Sequence, residues 1–132
     1  MLVVDAGVLV DLLIDRPAGT AIREHLLSHR DALAVPAHAE MEVMSALRSL
    51  RRSGRLSREA ADDAVQDLLR LKMARHTLGP LAERMWALTD NVTPYDAGYV
   101  ALAETLDATL LTGDLRLARA VAQHTHVSIL SV

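Results

Sequence analysis

The stretch "LLTGDLRLARA", residues 110–120, places a short apolar run, a tight turn and a helical pattern in immediate succession. An apolar run too short for a helix, followed at once by apolar residues at helical spacing, reads as a buried parallel strand handing over to a helix. Asp114 stands at the handover. A carboxylate there can cap the helix, and it can equally line a site at the carboxyl end of the strand.

The N-terminus repeats the arrangement. "MLVVD" reads as a short buried strand ending in Asp5, and "AGVLVDLLID" as one or two helical turns stopped by Pro17. "AGTAIREHLLSHRD" has apolar residues at helical spacing, and "ALAV" predicts a second strand ended by Pro36. "PAHAEMEVMSALRSLRRSG" predicts a helix with Pro36 in its first turn, Gly54 just past its end, and Met44, Leu47 and Leu50 on one face. "LSREAADDAVQDLLRLK", capped by Ser57, predicts its partner in a helical hairpin. A helix from Pro80 to about Leu88 precedes one capped by Thr93 with Pro94 just inside. "DLRLARAVAQH" and "VSIL" predict a last helix and a last strand. Short apolar strands alternating with helices predict an α/β fold: a three-layer α/β/α sandwich around a mostly parallel sheet, as one domain over residues 1–132.

Composition narrows the chemistry. The chain has no Cys, which excludes disulfides, thiolate metal sites and cysteine nucleophiles. With no Phe, one Trp and two Tyr, the core must be aliphatic, and the methionines read as core filler. No apolar run is long enough for a membrane span, and the acidic N-terminus argues against a signal peptide, so the expectation is a cytoplasmic protein with no membrane association. A net charge of −3 does not mark a nucleic-acid binder. Yet Arg48, Arg51, Arg52, Arg55 and Arg58 fall within eleven residues. Such a run suits phosphate oxygens as well as it suits a solvated helix face.

Ligand sites of open α/β sheets lie outside the carboxyl ends of the strands. Asp5 and Asp114 both stand at such ends. Asp96, in the first turn of the Thr93 helix, and Glu40 and Glu42, in the first turns of the Pro36 helix, are placed to join them. Each acid singly has a capping or helix-dipole explanation. Together they repel one another unless a cation lies among them, and all-oxygen ligation suits Mg²⁺ or Mn²⁺. The chemistry this pattern points to is metal-dependent phosphodiester hydrolysis.

The blocks "VVDAGVLVDLL", "EVMSALRSLRRSG", "TPYDAGYVALAE" and "LLTGDLRLARA", in this order over essentially the whole chain, resemble the PIN-domain ribonucleases, in particular the VapC-type toxins. The resemblance implies a Mg²⁺- or Mn²⁺-dependent endoribonuclease toxin with an RNA substrate and a VapB-type antitoxin partner; an exposed apolar surface for that partner and for a homodimer is expected with it. It places the family's acids on Asp5, Glu42, Asp96 and Asp114, with Asp5, Asp96 and Asp114 as metal ligands, Glu42 completing the catalytic set, and Thr112 in support. Arg48, Arg51 and Arg52 are the candidates for RNA contact. The chain departs from the pattern at Gly7, where the family often has Ser or Thr, and at Thr89, where an Arg is common, while Asn91 is kept.

Two other readings share the acidic pocket. In a phospho-accepting signalling domain a Lys should stand near the end of a late strand, and the only Lys, Lys72, reads as helical. In a non-catalytic binding domain the acids are helix caps and nothing more. Tyr95 and Tyr99, four apart, are open to base stacking or to packing.

Overall fold

The structure, a computed structural model, describes residues 1–132 apart from the side chains of Ala18 and His29. In chain order the elements are β1 (Leu2–Val4), α1 (Ala6–Leu13), α2 (Pro17–His29), β2 (Leu33–Pro36), α3 (Ala39–Arg52), α4 (Arg58–Arg70) and β3 (Met73–His76). A 3-10 turn (Gly79–Leu81) then leads to α5 (Ala82–Leu88), α6 (Pro94–Leu106), β4 (Thr109–Thr112), α7 (Leu115–His124) and β5 (Ile129–Ser131). The five strands form one parallel sheet in the order β3-β2-β1-β4-β5.

The strand order decides where a site lies. From β1 the chain moves outward to β2 and β3. It then crosses back to β4 and moves the other way to β5. Right-handed crossovers therefore place α1–α4 on one face and α5–α7 on the other. The contacts agree: α1 packs on α2 and α3, α3 packs on α4, and α6 packs on α5 and lies over β1, β2 and β4. This is the three-layer sandwich read from the sequence. The direction of travel reverses between β1 and β4, so the crevice of the fold opens at their carboxyl ends.

Tyr99 apart, the core is aliphatic, with Val3, Leu9, Ile22, Leu47, Leu68, Leu102, Leu110 and Leu111 almost wholly buried. Residues 97–103 of α6 are all buried, so the middle of this helix has no solvent face and is held on every side. Its first turn is thereby fixed against the sheet edge. Side-chain caps at Asp5, Ser57, Thr93 and Asp114 start α1, α4, α6 and α7. Each is worth about 1 kcal/mol. Gly54 follows α3 with φ of 75°, the left-handed turn expected just past a helix end.

The structure corrects three readings. Pro36 is the last residue of β2 and not the first turn of a helix; α3 begins at Ala39. The buried stripe of α3 is Val43, Leu47 and Leu50, whereas Met44 and Met41 are exposed and fill no core. The strand β3, "MARH", was not anticipated. It is an edge strand with two exposed central residues, so it carries no apolar run to betray it.

Candidate active site

β1 and β4 pair in register, Val4 opposite Leu111, which makes Asp5 and Thr112 neighbours at the carboxyl ends. The Asp5 backbone N–H donates to the Leu111 carbonyl at 3.1 Å. Both carboxylate oxygens of Asp5 are engaged. Oδ1 accepts the Val8 N–H at 2.8 Å, capping α1, and Oδ2 accepts the hydroxyl of buried Thr112. Thr112 Oγ1 in turn accepts the Asp114 N–H at 3.0 Å. Asp114 Oδ1 caps α7 by accepting from Arg116 N–H (2.8 Å) and Leu117 N–H (3.1 Å). One threonine thus couples the acids at the two strand ends, and each acid is a helix cap and a cleft residue at once.

Asp96 and Glu42 arrive from helices. Thr93 caps α6 by accepting the Asp96 N–H at 3.2 Å, which sets Asp96 over the strand ends. On α3, Glu42 Oε1 accepts the Tyr99 hydroxyl at 2.9 Å. His38 Nε2 lies 3.1 Å from the same oxygen and 2.9 Å from the Tyr95 carbonyl oxygen. The imidazole packs edge-on against both tyrosines, with ring centroids 6.1 Å from Tyr95 and 5.1 Å from Tyr99. It occupies space that only glycine leaves open, since a Cβ on Gly98 would lie 2.4 Å from His38 Cε1.

Asp5, Glu42, Asp96 and Asp114 all line one open cleft of about 600 Å³, together with Arg16, Ser49, Arg55 and Tyr99. A neighbouring cleft of about 400 Å³ shares Asp96 and adds Asp90, Asn91 and Arg116. Burial pushes the Asp5 carboxyl up, and the charges of Asp96 and Asp114 add to this, outweighing the hydrogen bonds from Thr112 and Val8. Burial likewise raises Asp96, with Asp114 and Glu42 adding and Thr93 and Arg116 opposing. Burial and the adjacent Glu42 hold the Tyr99 phenol above its ordinary value, so it remains a proton donor. Burial lowers His38, but its bonds to Glu42 and the Tyr95 carbonyl and the charges of Glu42 and Asp96 outweigh that, and its net shift is upward.

The donor set is carboxylate oxygen; burial is the main cause of the raised values of Asp5 and Asp96, and the neighbouring carboxylates add a repulsion that a cation among them would relieve. Among the described residues no three His, Asp or Glu side chains are gathered into a group that could hold a metal ion. Carboxylate oxygen is the donor chemistry that Mg²⁺ takes, usually with few protein ligands and several waters.

The cleft also sorts the other candidates. Glu40 is turned to the β3 edge, paired with Arg75 at 2.7 Å, so Glu42 is the α3 acid that faces the cleft. Of the arginine run, Arg55 lines the cleft whereas Arg48, Arg51 and Arg52 do not. Arg16, which sequence reading passed over, lines it as well, paired with Asp11. Tyr99 is buried and packs, leaving no face for a base, whereas Tyr95 is exposed. Lys72 is not helical; it lies between α4 and β3, at the amino end of that strand. The contacts of His38 were missed because a lone histidine gives no pattern, and a helix read as starting at Pro36 would have contained it, whereas His38 stands just before α3. Among the described residues no helix is long and apolar enough to cross a membrane.

A family model for the PIN domain matches residues 2–123. Ribonuclease VapC3 of Mycobacterium tuberculosis is 43% identical over 121 residues, an alignment covering 89% of this chain and 85% of the relative. The crystal structure of PAE2754 from Pyrobaculum aerophilum superimposes with a TM-score of 0.72 at 27% identity, covering 97% of this chain and 81% of that one. The crystal structure of VapBC2 from Rickettsia felis, bound to a DNA fragment from its promoter, contains a chain with TM-score 0.69. At 11% identity over 99% of this chain and 98% of that one, it shares the fold alone.

Proposed function

The chain belongs to the PIN-domain family and is homologous to the VapC ribonuclease toxins, and from that premise we propose that it is a metal-dependent endoribonuclease restrained by a VapB-type antitoxin. The observation that carries the reading is the convergence of Asp5, Glu42, Asp96 and Asp114 on one cleft at the point where the strand order reverses. Caps alone need not share a cleft, and four acids crowded into one raise the cost of keeping each ionised.

Asp5, Asp96 and Asp114 would hold Mg²⁺ or Mn²⁺. When bound, such an ion lowers the pKa of water and offsets the charge that builds on the phosphodiester. Thr112 fixes Asp5 Oδ2 and, through the Asp114 N–H, the start of α7, so the two strand-end acids keep a constant separation. Glu42 orients the attacking water and accepts its proton, while Tyr99 holds one of its oxygens. Arg55 and Arg16, which line the same cleft, offer guanidinium donors to the flanking phosphates. Exposed apolar side chains, including Leu27 and Trp86, leave surface for an antitoxin and for a second copy of the chain. The site of action under this reading is the cytoplasm.

Mapping new RNA 5′ ends after induced expression tests the proposal. Discrete new ends are expected, and they should vanish when the product of the adjacent upstream reading frame is co-expressed. A transcriptome with no new ends under strong expression contradicts it.

A further inference from the structure

We propose that His38 is a positioning residue that fixes the carboxylate of Glu42 through its Nε2–H, a role that rests on the reading of Glu42 as a site acid. Both groups beside Nε2 are acceptors: Glu42 Oε1 at 3.1 Å and the Tyr95 carbonyl oxygen at 2.9 Å. A bare ring nitrogen between two acceptors would gain nothing from either, so Nε2 carries the proton and donates to both. Nδ1 is buried and has no hydrogen-bond partner among the described residues. In the neutral ring it is then an unmet lone pair, which costs less than an unmet N–H. The neighbours thus select one tautomer.

The consequence falls on Glu42. Its Oε1 receives two donors, the Tyr99 hydroxyl and His38 Nε2–H, from two different elements. A glutamate has three side-chain torsions, and fixing one oxygen from two directions removes most of that freedom. Among the described residues Oε2 makes no such bond, and it is left for the cleft. The Tyr95 carbonyl belongs to the first turn of α6, one residue before Asp96. His38 therefore ties Glu42 on α3 to the turn that carries Asp96, and sets the spacing between these acids. The fit is specific, because Gly98 leaves the imidazole the room a Cβ would take.

The test has two arms, both on the full-length chain. In the first, long-range ¹H–¹⁵N spectra at alkaline pH, without added metal, read the tautomer directly. Protonated Nε2 and bare Nδ1 are expected, with the Nε2–H resonance moving in Glu42→Ala. A ring protonated at Nδ1 alone, or an Nε2–H indifferent to Glu42, overturns the proposal. In the second arm, His38→Ala should lower Mn²⁺-dependent RNA cleavage by about 10- to 100-fold, the usual range for groups that orient a ligand from behind. His38→Gln, whose amide N–H reaches to about the same place as Nε2–H, should restore most of it. In a Glu42→Ala background His38→Ala should cost nothing further. An equal loss in both backgrounds, or Gln no better than Ala when thermal denaturation shows both folded, overturns the proposal. A wild-type chain that cleaves no RNA overturns the ribonuclease reading instead, and the spectra then decide the question of His38 alone.

Discussion

Thr112 donates its hydroxyl to Asp5 Oδ2 across 107 positions of sequence and accepts the Asp114 N–H through the same oxygen. Two hydrogen bonds through one side chain thus link the two strand-end acids. Thr112→Val keeps the shape of the side chain but strips both bonds from a fully buried position. It should destabilise the fold by about 1–3 kcal/mol, because a carboxylate oxygen and a backbone N–H lose their partner. Urea denaturation should show a lower midpoint at unchanged slope. Thr112→Ser, which retains the hydroxyl, should lie much closer to wild type.

The acids give stability a pH dependence of unusual sign. Burial and mutual repulsion hold Asp5 and Asp96 above their ordinary value of 3.8, so the folded chain keeps protons that the unfolded chain has released. Their contribution is therefore greatest below 3.8 and falls as the pH rises through the raised folded values. In metal-free buffer, Asp96→Asn should flatten the fall of melting temperature with rising pH above that point. An unchanged slope would contradict the upward shift of the Asp96 carboxyl by burial and by its acidic neighbours.

Gly98 and Gly7 should respond to alanine in opposite ways. At Gly98 a Cβ would press to 2.4 Å from the His38 ring, and overpacking of about 1–3 kcal/mol should exceed the helix gain of about 1 kcal/mol. At Gly7 a Cβ would lie 3.4 Å from Asp5 Oδ1, an ordinary contact, so the helix gain should survive. Thermal denaturation of the two variants side by side reads the difference.

Much of this was legible before any coordinates. Strand ends marked by Asp5 and Asp114 follow from short apolar runs that break at a carboxylate. That they sit side by side comes from the strand order, which puts β1 beside β4 and which the sequence left open. What was not legible is polar or negative in character. β3 is an exposed edge with no apolar signal, and Pro36 suits a strand end as well as a helix start. Which arginine faces the cleft depends on the left-handed turn at Gly54, which carries Arg55 away from the face of α3 that bears Arg48 and Arg52. The clamp on Glu42 joins residues 57 apart in sequence, beyond any local pattern.

Arg55 should accordingly matter more to RNA than its neighbours do. It lines the cleft, and among the described residues no carboxylate pairs with it; its Nε donates only to Ser53 Oγ at 3.2 Å. Arg55→Ala should weaken RNA binding and reduce the salt dependence of the affinity by about one phosphate contact. Arg52→Ala should leave both nearly unchanged. Binding titrations at several salt concentrations check this, and an equal effect of the two variants would place the RNA on the outer face of α3.

The most direct measurement compares RNA cleavage by the purified wild-type chain and by Asp5→Asn, each with Mn²⁺ and with chelator. Asn caps helices as well as Asp does, so the Val8 bond and the fold should persist in the variant. Cleavage that requires the metal, stops with chelator and falls to background in folded Asp5→Asn is the expected result. Cleavage by Asp5→Asn at the wild-type rate, or cleavage undiminished by chelator, would contradict the assignment of the four acids as a metal-dependent nuclease centre.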